Sequence, residues 1–215
     1  DISAACAGFI FAMNIVEGFF KAGIYKTALI IGAETLSKVT DWSDRGTCVL
    51  FGDGAGAAVL KAEETGIIDM MMGADGTKGD VLACTSRTVG NFLTGTKPEL
   101  GFMTMDGQEV FKFAVRKVPE SVMELLQRTG TKKEDIKYYV LHQANERIIE
   151  AAARRLKEPM EKFPMTIGQF GNTSTASIPL LLDDMIRKDM LKRGDKIIMS
   201  GFGAGMTWGA VLMEW

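Results

Sequence analysis

The chain has 215 residues, of which 47% are hydrophobic and 24% are charged, and its formal net charge is −2. This balance is typical of a soluble globular protein, and a charge this close to neutral argues against generic nucleic-acid binding. No apolar run is long enough to cross a membrane without interruption by charge, so a membrane partner is not expected.

Cysteine and histidine usage narrows the class of protein further. Three cysteines without framework spacing indicate a reducing compartment, and we expect a cytoplasmic protein. One histidine and no Cys-x-x-Cys motif predict that there is no His/Cys metal site. The chain does not begin with Met and opens at Asp1-Ile2 as if inside a strand, so we expect a preceding segment outside this sequence.

The first predicted element is a helix that follows a cysteine. Residues 3–8 are nearly all small and include Cys6, and the apolar run over residues 9–20 predicts a buried helix that ends near Lys21 and Gly23. Cys6 then lies at the helix N-terminus, where unpaired N–H groups and the helix dipole favour the thiolate. The alternative is an inert core cysteine, because free cysteine is among the most buried residue types.

Three strands and a glycine-rich turn are predicted next. Residues 26–33 predict a buried strand, residues 47–51 a second strand with Cys48 packed in the core, and residues 58–60 a third. The glycines of residues 52–57 are interpreted as a turn. Because a strand follows these glycines rather than a helix, a dinucleotide-binding cradle is not favoured.

A change of composition at residues 61–65 predicts the boundary between two halves, residues 1–64 and residues 65–215. Pro119 predicts a kink or a break in the first helix of the second half, and Cys84 lies in an irregular stretch. The predicted strands of this half are residues 66–72, 137–141, 196–200 and 210–213, and its predicted helices are residues 109–128, 146–156 and 176–191.

The chain carries a weak internal repeat. Small residues around Cys6 precede a helix, a glycine and a strand led by Lys26, and small residues around Ala176 precede the same series, with a strand led by Lys196. The spacing from Cys6 to Lys26 and from Ala176 to Lys196 is twenty residues in both cases. Two copies of one α/β unit explain this pattern, and sites in such folds gather at the carboxyl ends of strands.

Three side chains near such strand ends can carry chemistry. Cys6 is a candidate nucleophile, His142 directly follows a predicted strand, and Asn172 lies in a glycine-flanked loop. Imidazole and amide N–H donors that converge on a carbonyl oxygen stabilise an enolate, and backbone N–H groups of Cys6 and of residues 203–205 would form an oxyanion hole. A structural histidine and a turn or helix-cap asparagine are the alternatives, so the residues alone leave a cysteine acyl-transfer enzyme as one hypothesis.

Six short motifs run in a fixed order and span almost the whole chain. They are Ala4-Ala-Cys-Ala-Gly-Phe9, Asp44-Arg-Gly-Thr47, Phe51-Gly-Asp-Gly-Ala-Gly-Ala-Ala58, His142-Gln-Ala-Asn145, Gly171-Asn-Thr-Ser174 and Gly201-Phe-Gly-Ala-Gly-Met-Thr-Trp-Gly209. As a set they resemble β-ketoacyl-[acyl-carrier-protein] synthase III, a family of the thiolase superfamily that initiates type II fatty-acid synthesis. The resemblance implies a duplicated thiolase-like α/β fold with layers αβαβα, from which the N-terminal part of the first half is missing.

The resemblance also implies a decarboxylative condensation, with a role for each matching position. Cys6 carries an acyl group taken from an acyl-CoA, while His142 and Asn172 donate hydrogen bonds to the thioester oxygen of malonyl-ACP. The N–H groups of Cys6 and Ala204 hold the oxyanion. The implied substrate-binding positions are Arg45, Phe202, Gly107 and Asn145, and the implied basic patch for the acidic acyl carrier protein is Lys112, Arg147, Arg154 and Arg155.

The resemblance implies no cofactor beyond the coenzyme A thioester, which is a substrate, and it implies a homodimer. For the basic patch, a solvated helix face is the alternative.

Two other functions stay open: a type III polyketide synthase-like condensing enzyme, which shares the Cys-His-Asn set, and a non-condensing scaffold that only binds acyl ligands. A single histidine argues against elongating ketoacyl synthases, and the lack of cysteine in residues 196–215 argues against degradative thiolases.

Overall fold

The structure, a computed structural model, describes residues 1–84, 90–97 and 101–215. The α-helices in these ranges are α1 (Gly8–Lys21), α2 (Gly107–Thr129), α3 (Glu146–Leu156), α4 (Ile167–Phe170) and α5 (Ser177–Arg187). The strands are β1 (Thr27–Glu34), β2 (Gly54–Lys61), β3 (Ile67–Ala74), β4 (Leu82–Cys84), β5 (Met103–Met105), β6 (Ile136–Leu141), β7 (Lys196–Gly203) and β8 (Thr207–Glu214). Short 3₁₀ turns, Ala5–Ala7 and Ser174–Ala176, lead into α1 and α5.

Two sheets organise the molecule. Strands β1 and β2 form an antiparallel pair, and a four-stranded sheet has the order β3-β8-β7-β6. In the larger sheet β6 and β7 are parallel, which requires the long crossover through α3, α4 and α5, whereas β8 is antiparallel to both of its neighbours. Strands β4 and β5 form a separate small antiparallel pair.

The sheets and helices are stacked in layers. Helices α1 and α5 lie between the two sheets, and their apolar side chains form one core with the facing strands. Helices α2 and α3 pack on the opposite face of the four-stranded sheet around a second core. Four of the five layers of the expected αβαβα arrangement are therefore present among the described residues, and no described helix covers the outer face of β1 and β2.

The internal repeat predicted from the sequence is confirmed. Each copy consists of a 3₁₀ turn, a helix and an antiparallel strand pair, and all four strands are eight residues long. The first residue of each 3₁₀ turn is a non-glycine residue in the left-handed region, Ala5 with φ 46° and Ser174 with φ 51°. One copy lies in each predicted half of the chain. We call these halves the first unit (1–64) and the second unit (65–215), and the boundary between them stays a prediction.

The predicted strand over residues 47–51 is wrong. The Asp44 carboxylate accepts hydrogen bonds from the Gly46 N–H and the Thr47 hydroxyl, and the Asp44 carbonyl accepts one from the Cys48 N–H. These local bonds fold the segment into successive turns, so Cys48 is half-buried in a turn rather than packed in a strand. Only Phe51 forms a bridge, with Asn172.

The glycines predicted as a turn lie largely inside β2, where they allow close contact with α5. A Cβ atom on Gly56 would lie 2.9 Å from the Cβ of Pro179, and one on Gly54 would lie 3.0 Å from Leu180. The glycines therefore serve strand–helix packing, a role that their spacing in sequence does not distinguish from a turn.

Burial in the first unit is lower than its apolar sequence predicts. Helix α1 is buried along Phe9, Ile10 and Met13, but Ile15 and Phe19 in its second half are exposed. Strand β1 is buried on one face only. The physical reason is that no described element packs against these surfaces, and burial is decided by neighbours rather than by the strand itself.

Helix α2 continues without a break through Pro119. Proline lacks the N–H that would bond to the Val115 carbonyl, and the Arg155 guanidinium on α3 donates to that oxygen instead, at 2.7 Å. The carbonyl is thus satisfied from a neighbouring helix. Two smaller differences concern boundaries: α5 ends at Arg187 rather than at residue 191, and Cys84 lies in β4 rather than in a loop.

Candidate active site

A cavity of about 190 Å³ lies where the two units meet, and all three predicted catalytic side chains line it. Cys6 comes from the first unit, and His142 and Asn172 come from the second. Phe202 and Gly203, at the end of β7, line the same cavity. The structure therefore brings together residues that are up to 166 positions apart in sequence, from Cys6 to Asn172.

Two threonine hydroxyls hold the backbone turn that carries Cys6. The Thr175 hydroxyl donates to the Ala5 carbonyl at 2.7 Å, and the Thr207 hydroxyl donates to the Ala4 carbonyl at 3.1 Å. Gly203 lies so close that a Cβ atom there would be 2.6 Å from the Cys6 nitrogen. Any larger residue at position 203 would displace the Cys6 N–H, so glycine is required there for steric reasons.

Burial raises the pKa of the Cys6 thiol to about 11. A hydrogen bond from Ser174 lowers this pKa, the charge of Glu34 raises it, and the backbone N–H lowers it, but desolvation is the largest of these effects. The expectation that the helix end favours the thiolate is therefore wrong for the resting protein. Cys6 lies in the separate 3₁₀ turn that precedes α1, and the free energy of burying the charge outweighs the local donors.

His142 follows β6, and its backbone N–H donates to the Ser200 carbonyl at 2.8 Å. Its ring nitrogen Nδ1 lies 2.6 Å from the Ser177 hydroxyl, and its ring packs edge-on against Phe202. Burial lowers the pKa of His142 to about 3, so the imidazole is neutral at pH 7. Its Nε2 atom is buried and has no hydrogen-bond partner among the described residues.

Asn172 is fixed through its backbone and its amide oxygen. Its N–H donates to the Leu50 carbonyl at 2.8 Å, and its carbonyl accepts from the Gly52 N–H at 2.9 Å. The side-chain Oδ1 accepts from the Ser174 N–H at 2.9 Å, which assigns the orientation of the amide. Since Oδ1 is occupied and Asn172 lines the cavity, the Nδ2 group is the part left to donate to a bound molecule.

The predicted substrate-binding residues divide into two groups. Phe202, Gly107 and Asn145 line the cavity, and Asn145 also caps α3 by accepting from the Arg147 N–H. Arg45 is exposed and does not line the cavity, although its neighbour Gly46 does.

The predicted oxyanion residue Ala204 also lies outside the cavity lining. It begins the turn between β7 and β8, and its carbonyl accepts from the Thr207 hydroxyl at 3.0 Å. The oxyanion pair of Cys6 and Ala204 therefore stays a prediction.

The four residues of the predicted carrier-protein patch differ in their surroundings. Lys112 pairs with Glu109 at 2.8 Å and Arg154 pairs with Glu150 at 3.6 Å; exposed pairs of this kind contribute little stability. The Arg155 guanidinium donates a hydrogen bond to the Val115 carbonyl. Arg147 is exposed at the start of α3, beside the cavity-lining Asn145. Arg147 thus has the most direct position next to the cavity.

Sequence reasoning missed four residues that shape the site: Glu34, Ser174, Thr175 and Ser177. Thr175 and Ser177 lie in the second unit where Cys6 and Gly8 lie in the first, counted from the starts of α5 and α1. The internal repeat was the signal that could have found them, because it marks this turn as the counterpart of the cysteine turn.

Two kinds of structure are absent from the described residues. No group of three or more His, Cys, Asp or Glu side chains in the described ranges is arranged to hold a metal ion. Among the same residues, no helix combines the length and the apolar character that a membrane crossing requires.

Comparison with known proteins identifies the family. Residues 1–76 match the family model described as 3-oxoacyl-[acyl-carrier-protein (ACP)] synthase III, and residues 126–215 match the model of its C-terminal part. A β-ketoacyl-[acyl-carrier-protein] synthase III from Clostridium acetobutylicum is 50% identical over 217 residues; the alignment covers all of this chain and 67% of that protein.

Solved structures agree with this. The crystal structure of 3-oxoacyl-[acyl-carrier-protein] synthase III from Aquifex aeolicus is 45% identical, with a TM-score of 0.91, over all of this chain and 66% of that one. The corresponding enzyme from Pseudomonas aeruginosa is 39% identical, with a TM-score of 0.91 over the same shares. The chain spans about two thirds of the length of these proteins. With its thiolase-like α/β fold, the chain belongs to the β-ketoacyl-[acyl-carrier-protein] synthase III family of condensing acyltransferases.

Proposed function

We propose that this chain carries the catalytic centre of an enzyme that condenses an acyl-CoA primer with malonyl-ACP to give a 3-oxoacyl-ACP and so initiates fatty-acid synthesis. The observation that carries the proposal is that one cavity is lined by a thiol, by an imidazole whose Nε2 has no partner among the described residues, and by the Asn172 amide. A nucleophile and two neutral donors are the groups that acyl transfer and enolate stabilisation require.

In the first step Cys6 attacks the thioester carbonyl of the acyl-CoA. The new bond joins Cys6 Sγ to the acyl carbon, the bond to the sulfur of coenzyme A breaks, and coenzyme A leaves with the proton. Because the Cys6 thiol is neutral at rest, the proton has to move as the bond forms. The backbone N–H groups of Cys6 and Ala204 stabilise the oxyanion of this step and of the later condensation.

In the second step malonyl-ACP enters and loses carbon dioxide. His142 and Asn172 donate hydrogen bonds to its thioester oxygen, and the electron pair of the broken C–C bond forms an enolate that these donors stabilise. The α-carbon attacks the acyl carbon on Cys6, the C–S bond breaks, and the Cys6 thiolate takes a proton from solvent. The burial of His142 keeps the imidazole neutral, which suits a hydrogen-bond donor rather than a proton donor.

The approach of substrates follows from what surrounds the cavity. In this proposal the cavity-lining Gly107 and Asn145 border the passage for the pantetheine arm, and Phe202 packs beside the thiol. The role of Arg45 in coenzyme A binding rests on the family resemblance alone. Arg147 is the leading residue of the carrier-protein surface, followed by Lys112 and Arg154, which already have acidic neighbours. We assign Arg155 to this surface only in second place, because the Val115 carbonyl occupies it.

The carrier-protein surface is tested by charge reversal. Arg147→Glu is expected to raise KM for malonyl-ACP several-fold with kcat little changed, since exposed charges act mainly on encounter and binding. Arg187→Glu on α5, which reverses an exposed arginine outside the predicted patch, is the matched control. An equal effect of both variants would contradict a dedicated surface.

Two reactions separate this function from the two alternatives. Iodoacetamide is expected to alkylate Cys6, and mass spectrometry identifies the modified peptide among the three cysteine peptides. Incubation with acyl-CoA before the alkylation is expected to block it. Missing protection would favour a non-condensing scaffold. Carbon dioxide release that requires malonyl-ACP supports the synthase, whereas equal release with malonyl-CoA would favour a type III polyketide synthase-like enzyme.

The remaining parts of the proposal concern the whole protein. We infer a homodimer in the cytoplasm, as the family resemblance implies, with no cofactor other than the coenzyme A thioester that is consumed. Light scattering of the purified full-length protein tests the dimer directly, and a monomer at micromolar concentration would contradict it.

A further inference from the structure

The Ser177 hydroxyl contacts the His142 ring from inside the protein. Ser177 is the first residue of α5, and its Oγ lies 2.6 Å from His142 Nδ1. Both residues are buried. Among the described residues, Ser177 makes the only hydrogen bond to the His142 ring.

The direction of this hydrogen bond follows from counting donors and acceptors. A serine hydroxyl has one proton to donate and two lone pairs to accept with. The Gln143 N–H donates to Ser177 Oγ at 3.3 Å, so one lone pair is used. Among the described residues, His142 Nδ1 is the only acceptor within hydrogen-bonding distance of the hydroxyl. The proton therefore points to Nδ1, and Nδ1 is the unprotonated ring nitrogen.

The opposite arrangement would leave the buried Ser177 hydroxyl proton without a partner. If Nδ1 carried the proton and donated to Ser177, the hydroxyl proton would have no acceptor in the described surroundings, and a buried donor without a partner is costly. The Gln143 backbone is also held firmly, because its side chain donates to the Leu141 carbonyl and accepts from the Thr166 N–H. The N–H that orients the serine hydroxyl is thus fixed.

We propose that Ser177 is a positioning residue that holds His142 in the tautomer protonated at Nε2, with the Nε2–H directed to the substrate carbonyl. The role in catalysis rests on the proposed condensation; the tautomer itself does not. In this state Nε2 has no lone pair with which to take the Cys6 proton. His142 therefore serves decarboxylation and condensation, and Cys6 acylation proceeds without it as a base.

The tautomer is read directly from nitrogen spectra of protein labelled with ¹⁵N-histidine. The two-bond nitrogen–proton correlation pattern distinguishes a ring protonated at Nε2 from one protonated at Nδ1, and the His142→Gln variant assigns the signal. We expect the Nε2–H pattern at neutral pH in the wild type. The Nδ1–H pattern would overturn the proposal whether or not the protein condenses anything.

Substitutions at position 177 then connect the tautomer with the rate. Ser177→Ala is expected to mix or reverse the tautomer and to lower the condensation rate roughly tenfold to a hundredfold, while acylation of Cys6 by acyl-CoA changes by less than about threefold. Ser177→Thr keeps the hydroxyl and is expected to restore the Nε2–H pattern and most of the rate. Ser121→Ala removes another buried helical hydroxyl, which donates to the Lys117 carbonyl. This variant is expected to change neither the tautomer pattern nor the condensation rate.

The outcomes separate this inference from the proposed function. An unchanged tautomer and rate in Ser177→Ala would overturn the positioning role, as would equal losses of acylation and condensation. If the wild type shows the Ser177-dependent Nε2–H pattern but releases no carbon dioxide from malonyl-ACP, the tautomer assignment holds and the proposed function fails. If Ser177→Ala does not fold, Ser177→Thr and the wild-type spectrum decide the question.

Discussion

The two units share a repeated helix and strand pair, but these elements have very different surroundings in each unit. Leu29 pairs with Val59 across β1 and β2, and the equivalent pair across β7 and β8 is Ile198 with Leu212. In the first unit these side chains are 60% and 73% exposed, whereas in the second unit both are 0% exposed. The same kind of apolar strand face is bare in one unit and covered in the other.

The difference lies in what packs outside each sheet. Helices α2 and α3 cover the second unit, and among the described residues nothing corresponds to them in the first. The cavity is lined from both units: Cys6 comes from the first, and His142 and Asn172 come from the second.

Truncation of the equivalent strand residues gives the largest contrast. Ile198→Ala is expected to lower the free energy of unfolding by about 4 kcal/mol, because a buried isoleucine leaves a cavity. Leu29→Ala is expected to cost less than about 1 kcal/mol, because the side chain is already exposed to solvent. Urea unfolding of both variants measures the contrast, and equal losses would mean that the face of the first unit is covered in the protein.

Removal of a donor tests how the reaction is divided between the units. Asn172→Ala is expected to lower the condensation rate by roughly a hundredfold to a thousandfold, since one donor to the developing charge is lost. Acylation of Cys6 by acyl-CoA is expected to continue, because that step does not use the Asn172 amide. Rapid-quench measurements of the two half-reactions decide this, and an equal loss in both would contradict the division.

Stability should depend on pH in opposite directions for the two units. The His142 pKa of about 3 is below its ordinary value of 6.5, so the unfolded state binds the extra proton and stability is lost as pH falls below 6.5. Between pH 6.5 and pH 5 this contribution is about 2 kcal/mol. The Cys6 pKa of about 11 is above its ordinary value of 9.0, so stability is lost as pH rises from 9 toward 11.

Each contribution can be removed separately. The free energy of unfolding is measured against pH for the wild type, His142→Gln and Cys6→Ala. We expect His142→Gln to flatten the acid side only and Cys6→Ala to flatten the alkaline side only. Identical slopes in all three proteins would show that neither group is buried as the structure has it.

The smallest expected effect concerns the hydrogen bond between Arg155 on α3 and the Val115 carbonyl on α2. Arg155→Ala removes the donor to the Val115 carbonyl and is expected to cost about 1 kcal/mol. In a Pro119→Ala background the restored backbone N–H can satisfy that carbonyl, so the same change should cost clearly less. Additive losses in this double-mutant cycle would contradict the link between Arg155 and the proline.

Much of the site could be predicted because its residues lie at the ends of elements. His142 follows β6 and Cys6 precedes α1, and both positions can be recognised from local patterns. The repeat was visible because both units keep the same spacing. Family motifs then supplied the roles, which spacing alone could not.

The rest depended on contacts that are distant in sequence or on competing local bonds. The Ser177–His142 hydrogen bond joins residues 35 positions apart, and no local pattern indicates it. Residues 47–51 form turns because the Asp44 side chain competes with strand pairing. The Cys6 pKa depends on burial of the thiol, and the exposure of β1 depends on what packs against it among the described residues; neither is encoded in the segment itself.

We propose above all that Cys6 of the first unit and the donors of the second take part in one condensation in one cavity. A single-turnover experiment tests it: protein acylated on Cys6 and freed of excess acyl-CoA is mixed with malonyl-ACP. We expect acyl-Cys6 to disappear while carbon dioxide and 3-oxoacyl-ACP form in equal amounts. Persistence of acyl-Cys6, or carbon dioxide release without the condensed product, would contradict it.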